Sequence, residues 1–349
     1  MTVLLPKPLI ETSSEVLGPS LGEPDDVRNA SRRFQAGYTL RARLRALVPV
    51  LVLVGVVLAI TSVNPQFLSV RALSSAASDA SPMLLLVLGS TPVILIGGID
   101  LSVAALASLS SILAALWLPS LGSIGILAVV GAAAILGGLQ GYVHAKAQIP
   151  SFVVTLGGLG IFSGLALYLS GATSQPVDGT YPLLDWMAGS TLGAPNNVIT
   201  VALVCACLVT VFHVTPLGRR IYATGAGEAA AALCGVRVDH VRITVFALSG
   251  ACAALAAMLL VAQTGFSAPT LADNLLLPTI TGVVVGGTAI SGGVGSLWSA
   301  LVGGLTVAAV RLGTVVLGFG PALQAILFGA GILIAVALTT DRRKIGIIK

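Results

Sequence analysis

Two ionisable side chains, Asp100 and Arg311, fall inside long apolar runs and are the first residues to ask for chemistry. An ionised carboxylate in hydrocarbon costs roughly 2.5 to 3.5 kcal/mol on insertion scales, so Asp100 persists only with a purpose or a partner. Two readings stand. Either Asp100 lies on a path or gate through the membrane, or Asp100 or Ser102 caps the helix that restarts after Gly97-Gly98, where backbone donors are otherwise exposed. Arg311 snorkels outward, pairs with Asp79, or lines a cavity.

Catalytic patterns are missing. The chain has no G-x-x-x-x-G-K-[ST] phosphate loop, no H-E-x-x-H, no G-x-S-x-G elbow and no carboxylate cluster within an apolar run. Cys205 and Cys207 sit in an apolar run, and Cys234 and Cys252 stand alone, a spacing that closes no zinc site. His144, His213 and His240 are far apart and fall near span ends, which suits solvated or dipole-facing roles better than metal ligation. The chain is therefore expected to bind no metal and to hold no ATP site of its own.

The stretch from Thr215 to Val236 carries the sharpest local pattern. Gly225 and Gly227 allow a tight turn. Glu228 then opens a short alanine-rich helix, where a carboxylate complements the N-terminal dipole, and Gly235 ends it. Such a small-faced helix can enter a groove on a partner; the plainer reading is a surface helix that only joins two spans.

These residues must be held by membrane helices. The chain is 56% hydrophobic and 9% charged, with mean hydropathy +1.02, which excludes a soluble domain. Gly, at 41 residues, suits helices packed closely in lipid. Ten apolar runs are legible, at about 46–63, 75–96, 101–118, 124–143, 150–169, 198–214, 243–263, 275–289, 297–317 and 322–338. Pro119 is expected to close the third, and the eighth is short enough to be tilted or broken. Residues 171–196, without Lys or Arg but with Asp178 and Asp185, read as an external loop. A weak echo links Val93 to Ser102 with Val284 to Ser291, both ending a run in Gly-Gly, and paired glycine breaks of this kind mark discontinuous helices.

Of the 18 Lys and Arg residues, 16 fall on one side of this ten-span arrangement. Seven lie between Lys7 and Arg45; the others are Lys146, Arg219, Arg220, Arg237, Arg242, Arg342, Arg343, Lys344 and Lys349. The positive-inside bias makes that side cytoplasmic, with both termini inside. It also accounts for the net charge of +5 and pI ≈ 9.3, so no nucleic-acid partner is expected. Residues 1–45 read as a flexible cytoplasmic arm, 46–340 as the membrane domain with a cytoplasmic loop over 215–242, and 341–349 as a basic tail.

In this setting the chain resembles the permease subunits of ATP-binding-cassette importers, in the ribose and monosaccharide branch, over about residues 45 to 340. The resemblance rests on four motifs in order: G-G-I-D-L-S at Gly97 to Ser102, the segment Ile149 to Gly157, the loop with Glu228, Ala229, Ala230 and Gly235, and Gly286-Gly287-Thr288 with Ser291 to Ser296. It implies an all-α, polytopic fold of the type II importer kind, in a bacterial cytoplasmic membrane. It also implies that Gly218, Arg219, Arg220, Gly227, Glu228, Ala229, Ala230 and Gly235 belong to a coupling helix docking on an ATPase subunit that binds ATP and Mg. A solute-binding protein would deliver cargo, and a second permease copy or a paralogue would complete the path. For a sugar-like cargo the path would use Asp100 and Ser102 with Phe152, Thr155, Gln263 and Asn274, which offer neutral hydrogen bonds and an aromatic face. The sequence departs from many monosaccharide permeases at Leu276-Leu277-Pro278, where those carry Glu-Leu-Asp, and at Arg311, where they often have asparagine. The rival class, an ion-coupled carrier, would lean on Asp100 alone and leave the basic loop unexplained.

Overall fold

The computed structural model describes residues 49–339; the arm expected over 1–45 and the tail over 341–349 lie outside them. The described chain is a polytopic all-α membrane protein. Seven helices are long and apolar enough to cross a membrane: α2 (Val70–Leu95), α3 (Val103–Leu121), α4 (Ile124–Lys146), α5 (Ser151–Ser170), α7 (Asn196–Val214), α10 (Val238–Thr264) and α12 (Leu297–Val316). Three of the expected runs are shorter apolar helices: α1 (Pro49–Val63), the stretch Asp273–Val285 containing α11 (Leu276–Val285), and Ala322–Ala337 within α13 (Pro321–Thr339).

Local chemistry places most boundaries. Asn64 ends α1 and its side chain accepts from the Gln66 N–H at 3.1 Å, opening a 3-10 turn at Pro65–Leu68. Ser69 caps α2 through the Ala72 N–H, 3.2 Å away. Ser296 and Ser299 form a reciprocal capping box at the start of α12. Pro119, expected to close the third helix, instead lies inside α3, which runs to Leu121 and stops at Gly122.

The external loop expected over 171–196 is more ordered than its composition suggests. It holds β1 (Gln175–Pro176), a short helix α6 (Pro182–Ala188), and a hairpin of β2 (Ser190–Thr191) and β3 (Ala194–Pro195). β1 pairs antiparallel with β4 (Phe266–Ser267), which follows α10. Two further short helices, α8 (Pro216–Ala226) and α9 (Glu228–Leu233), fill the segment between α7 and α10.

The core lies around α2 and α10. The most apolar stretch of α2 is 89% enclosed by protein, against 22% for α5. α4 and α10 pack backbone to backbone, because a side chain at Gly141 would meet the Ile243 Cα at 2.8 Å and one at Gly137 or Gly250 would collide with the opposing main chain. Small residues permit that approach where lipid supplies no hydrophobic drive.

Candidate functional site

The three glycine motifs singled out in the sequence meet at one point. α2 ends in a Schellman closure: the Gly97 N–H donates to the Ile94 carbonyl and the Gly98 N–H to the Val93 carbonyl, both at 2.9 Å, with Gly97 at φ 80°. α11 ends identically, with Gly287 donating to Val284 at 2.9 Å, Thr288 to Val283 at 3.3 Å, and Gly287 at φ 88°. The echo between the two segments is thus a shared backbone geometry.

The loop after α11 then returns to the end of α2. Gly293 donates to the Leu95 carbonyl at 2.8 Å, and a side chain at Gly292 would meet the Gly97 nitrogen at 2.8 Å and the Gly225 carbonyl at 3.1 Å. Gly225 was expected in a tight turn. It lies instead in the last turn of α8, pressed against the Leu95 carbonyl and the Gly293 nitrogen so closely that no Cβ fits. The phenol of Tyr222, one turn earlier, donates to the Gly295 carbonyl at 3.0 Å, and burial pushes its pKa up. Gly218, which is buried, is as closely packed as Gly225: a Cβ there would strike the Phe212 main chain.

Glu228 stands in the first turn of α9, and Gly235, at φ 81°, follows its C-cap Cys234. Glu228 accepts from the Arg242 guanidinium at 2.6 Å, and Lys146 reaches Asp239 at 2.7 Å, so α9 and the end of α4 are both tied to the start of α10. Arg219, Arg220, Ala229 and Ala230 point outward, and Leu233 is 90% exposed. α8 therefore has its glycines closely packed, while α9 buries Ala231 and offers its other alanines and one bare leucine to solution.

Above this junction, Asp100 organises a buried polar cluster. One carboxylate oxygen accepts from the Ser102 N–H at 2.9 Å and the Ser102 hydroxyl at 2.7 Å; the other accepts from the Ser249 hydroxyl at 2.9 Å. The Ser102 hydroxyl also meets the Gln140 amide, 3.0–3.1 Å away. That amide occupies the space where a side chain at Gly158 would stand. Four helices, α3, α4, α5 and α10, are thereby joined. Ser102 holds the N-cap position of α3 without a side-chain capping bond, so the carboxylate of Asp100 is the group that meets the backbone there.

Of the residues proposed for a sugar-like cargo, Thr155 lies beside Asp100 and Ser102, whereas Gln263 and Asn274 lie on other elements. Thr155 is buried and its hydroxyl donates to the Ile99 carbonyl at 3.1 Å and the Ser151 carbonyl at 3.0 Å. Phe152 is 49% exposed on α5. Gln263, at the far end of α10, donates to the Ser78 carbonyl at 2.8 Å, and Asn274 is exposed in the turn before α11. Arg311 makes no ion pair with Asp79 or any other described residue. Gln140 and Ser249 went unnoticed in the sequence, though each is a polar residue beside glycine in an otherwise apolar run.

Comparison with known proteins agrees with this architecture. Residues 72–336 match the family described as branched-chain amino acid transport system, permease component. The ribose import permease protein RbsC of Bacillus subtilis is 35% identical over 304 residues, covering 86% of this chain and 94% of that protein. The fructose import permease protein FrcC of Rhizobium meliloti is 33% identical over 73% of this chain and 74% of its own. The probable ABC transporter permease protein YphD of Escherichia coli is 39% identical over 54% of this chain and 57% of its own length. No solved structure matches the chain. With the match spanning nearly all of the membrane helices, the chain belongs to the permease-component family of ABC importers, as a multi-pass subunit that is not itself catalytic.

Proposed function

We propose that this chain is the membrane-spanning subunit of a bacterial importer for a monosaccharide or related polyol. It crosses the cytoplasmic membrane ten times with both termini inside, and it pairs with a second copy or a paralogous permease. A separate ATPase subunit, which binds the ATP and Mg, docks on α8 and α9, and an extracytoplasmic solute-binding protein delivers the cargo at the opposite end. The names of the relatives supply the sugar, since ribose and fructose permeases both align with most of the chain.

One observation carries the coupling part of this reading: α8 rests directly on the end of α2 and on the loop after α11 through Gly225, Gly292 and Gly293. A displacement of α8 by a partner has no soft side chain to absorb it, so it is passed to α2, the most enclosed span. Nucleotide does work on the path only by binding the two conformations of the complex differently. The exposed face of α9, with Leu233 uncovered, is a surface suited to that partner. A carrier mechanism finds less support, because both oxygens of Asp100 are spent on Ser102 and Ser249.

Reconstitution tests the proposal. Proteoliposomes holding the permease, its ATPase and the solute-binding protein should accumulate labelled ribose or fructose only with ATP. Accumulation by permease alone under a proton or sodium gradient overturns it.

A further inference from the structure

The hairpin after α6 carries an unusual tip. β2 and β3 pair Ser190 with Pro195 and Thr191 with Ala194, leaving Leu192 and Gly193 as a two-residue turn. Both turn residues have positive φ, 54° and 83°. That combination favours Asn-Gly or Asp-Gly, because the first residue must enter the left-handed region and a short polar side chain eases it. Leucine does neither. It is also 103% exposed, so the strain is not offset by any burial within the chain. Strain and apolar exposure at one residue are retained where a contact outside the chain uses them.

The surroundings hold the base of this hairpin. α6 buries Leu184 and Met187 against the helices beneath, and Asn196 ties the base of the hairpin to the Trp186 carbonyl at 2.6 Å. Asn197 reaches the Ser78 hydroxyl at 2.6 Å, and Gln263 reaches the Ser78 carbonyl, so α2, α7 and α10 are joined just below. α7 runs from this hairpin to α8 over 19 residues, about 28 Å of helix, which puts the tip at the opposite end from α8 and α9. Around it, residues 171–196 contribute Asp178 and Asp185 and neither Lys nor Arg.

The geometry points to Leu192 as a docking knob for the solute-binding protein, seated in an apolar dimple ringed by Lys or Arg on that partner. The acidic surroundings select a basic rim, and a short hairpin anchored at its base loses little freedom when it docks. This inference rests on the importer reading above and adds which residue receives the partner.

The test uses the whole importer in nanodiscs with the solute-binding protein that supports its uptake, measuring affinity by surface plasmon resonance. Leu192→Asn suits the turn better and removes the knob; it should bind roughly tenfold more weakly, while Leu192→Met stays near the wild type. Binding by Leu192→Asn within about twofold of wild type overturns the assignment. A second arm labels Leu192→Cys with a polarity-sensitive dye. A blue shift on adding the binding protein supports the knob, whereas a full shift in nanodiscs alone assigns the tip to lipid and overturns it. If no solute-binding protein engages the wild type, the importer reading itself fails; if only the variants match the wild type, the knob alone fails.

Discussion

The Gly293 N–H donates to the Leu95 carbonyl at 2.8 Å, a main-chain bond between the loop after α11 and the last residue of α2. Gly225 of α8 lies against both partners of that bond. Two broken helices and a peripheral one thus share a joint made of backbone, which resists compression more than a layer of side chains would.

Gly225→Ala should disrupt this joint. The added methyl meets main-chain atoms that cannot rotate away, and overpacking of this kind costs about 1–3 kcal/mol. We expect the variant to insert and to bind its ATPase, but to lose more than about tenfold in ATP-driven uptake while ATP hydrolysis continues. Undiminished uptake by Gly225→Ala would show that the joint transmits nothing.

Glu228→Arg sets two guanidinium groups together at the start of α10, where Glu228 now pairs with Arg242 at 2.6 Å. Glu228 is half exposed, so solvent screens the pair on its side, although the Arg242 side chain is only 11% exposed. Uptake should nevertheless be abolished, because α9 is displaced from its seat. The swap Glu228→Arg with Arg242→Glu should regain part of it; full uptake by the single variant would remove α9 from the coupling mechanism.

Asp100→Asn retains one acceptor, and the serine hydroxyls can reverse to receive the amide. Asp100→Ala takes the acceptor from the Ser102 N–H and the Ser249 hydroxyl, at a cost of roughly 1–3 kcal/mol each, while the Ser102 hydroxyl keeps the Gln140 amide. Thermal unfolding in detergent should therefore rank wild type above Asn and Asn well above Ala, with Asn keeping most uptake. A well-folded Asp100→Asn with no uptake would instead make the carboxylate part of the path.

Gly158→Ala should push the Gln140 amide off Ser102, at a cost of about 1–3 kcal/mol. Adding Gln140→Ala vacates the space, so the double variant should be more stable than the sum of the two single losses predicts. Strict additivity in thermal unfolding would contradict the contact.

Much of the scaffold is legible in the sequence because apolar runs and terminal signals act locally: Asn64-Pro65 and the Gly-Gly pairs each stop a helix as read. Pro119 misleads, since a proline near a helix end is tolerated when the chain continues for barely another turn. The convergence of Gly97, Gly225 and Gly293 is invisible from spacing, because it depends on which helices become neighbours. The same holds for Gln140 and Ser249, whose role appears only once Asp100 is placed between them. Side-chain type alone selects Phe152, Thr155, Gln263 and Asn274; Phe152 and Thr155 share one turn of α5, while Gln263 and Asn274 stand on other elements.

Among the seven crossing helices, α2 combines the lowest mean hydropathy, 1.4, with the greatest enclosure, 89%. A segment wrapped by its neighbours answers to their shapes and hardly to the fatty acyl chains outside. Changes of bilayer thickness or lipid composition should leave its tilt nearly untouched, and its Ser81 and Thr91, whose hydroxyls donate to the Ala77 and Val87 carbonyls at 2.7 and 2.6 Å, carry no insertion burden once the surrounding helices have closed around it.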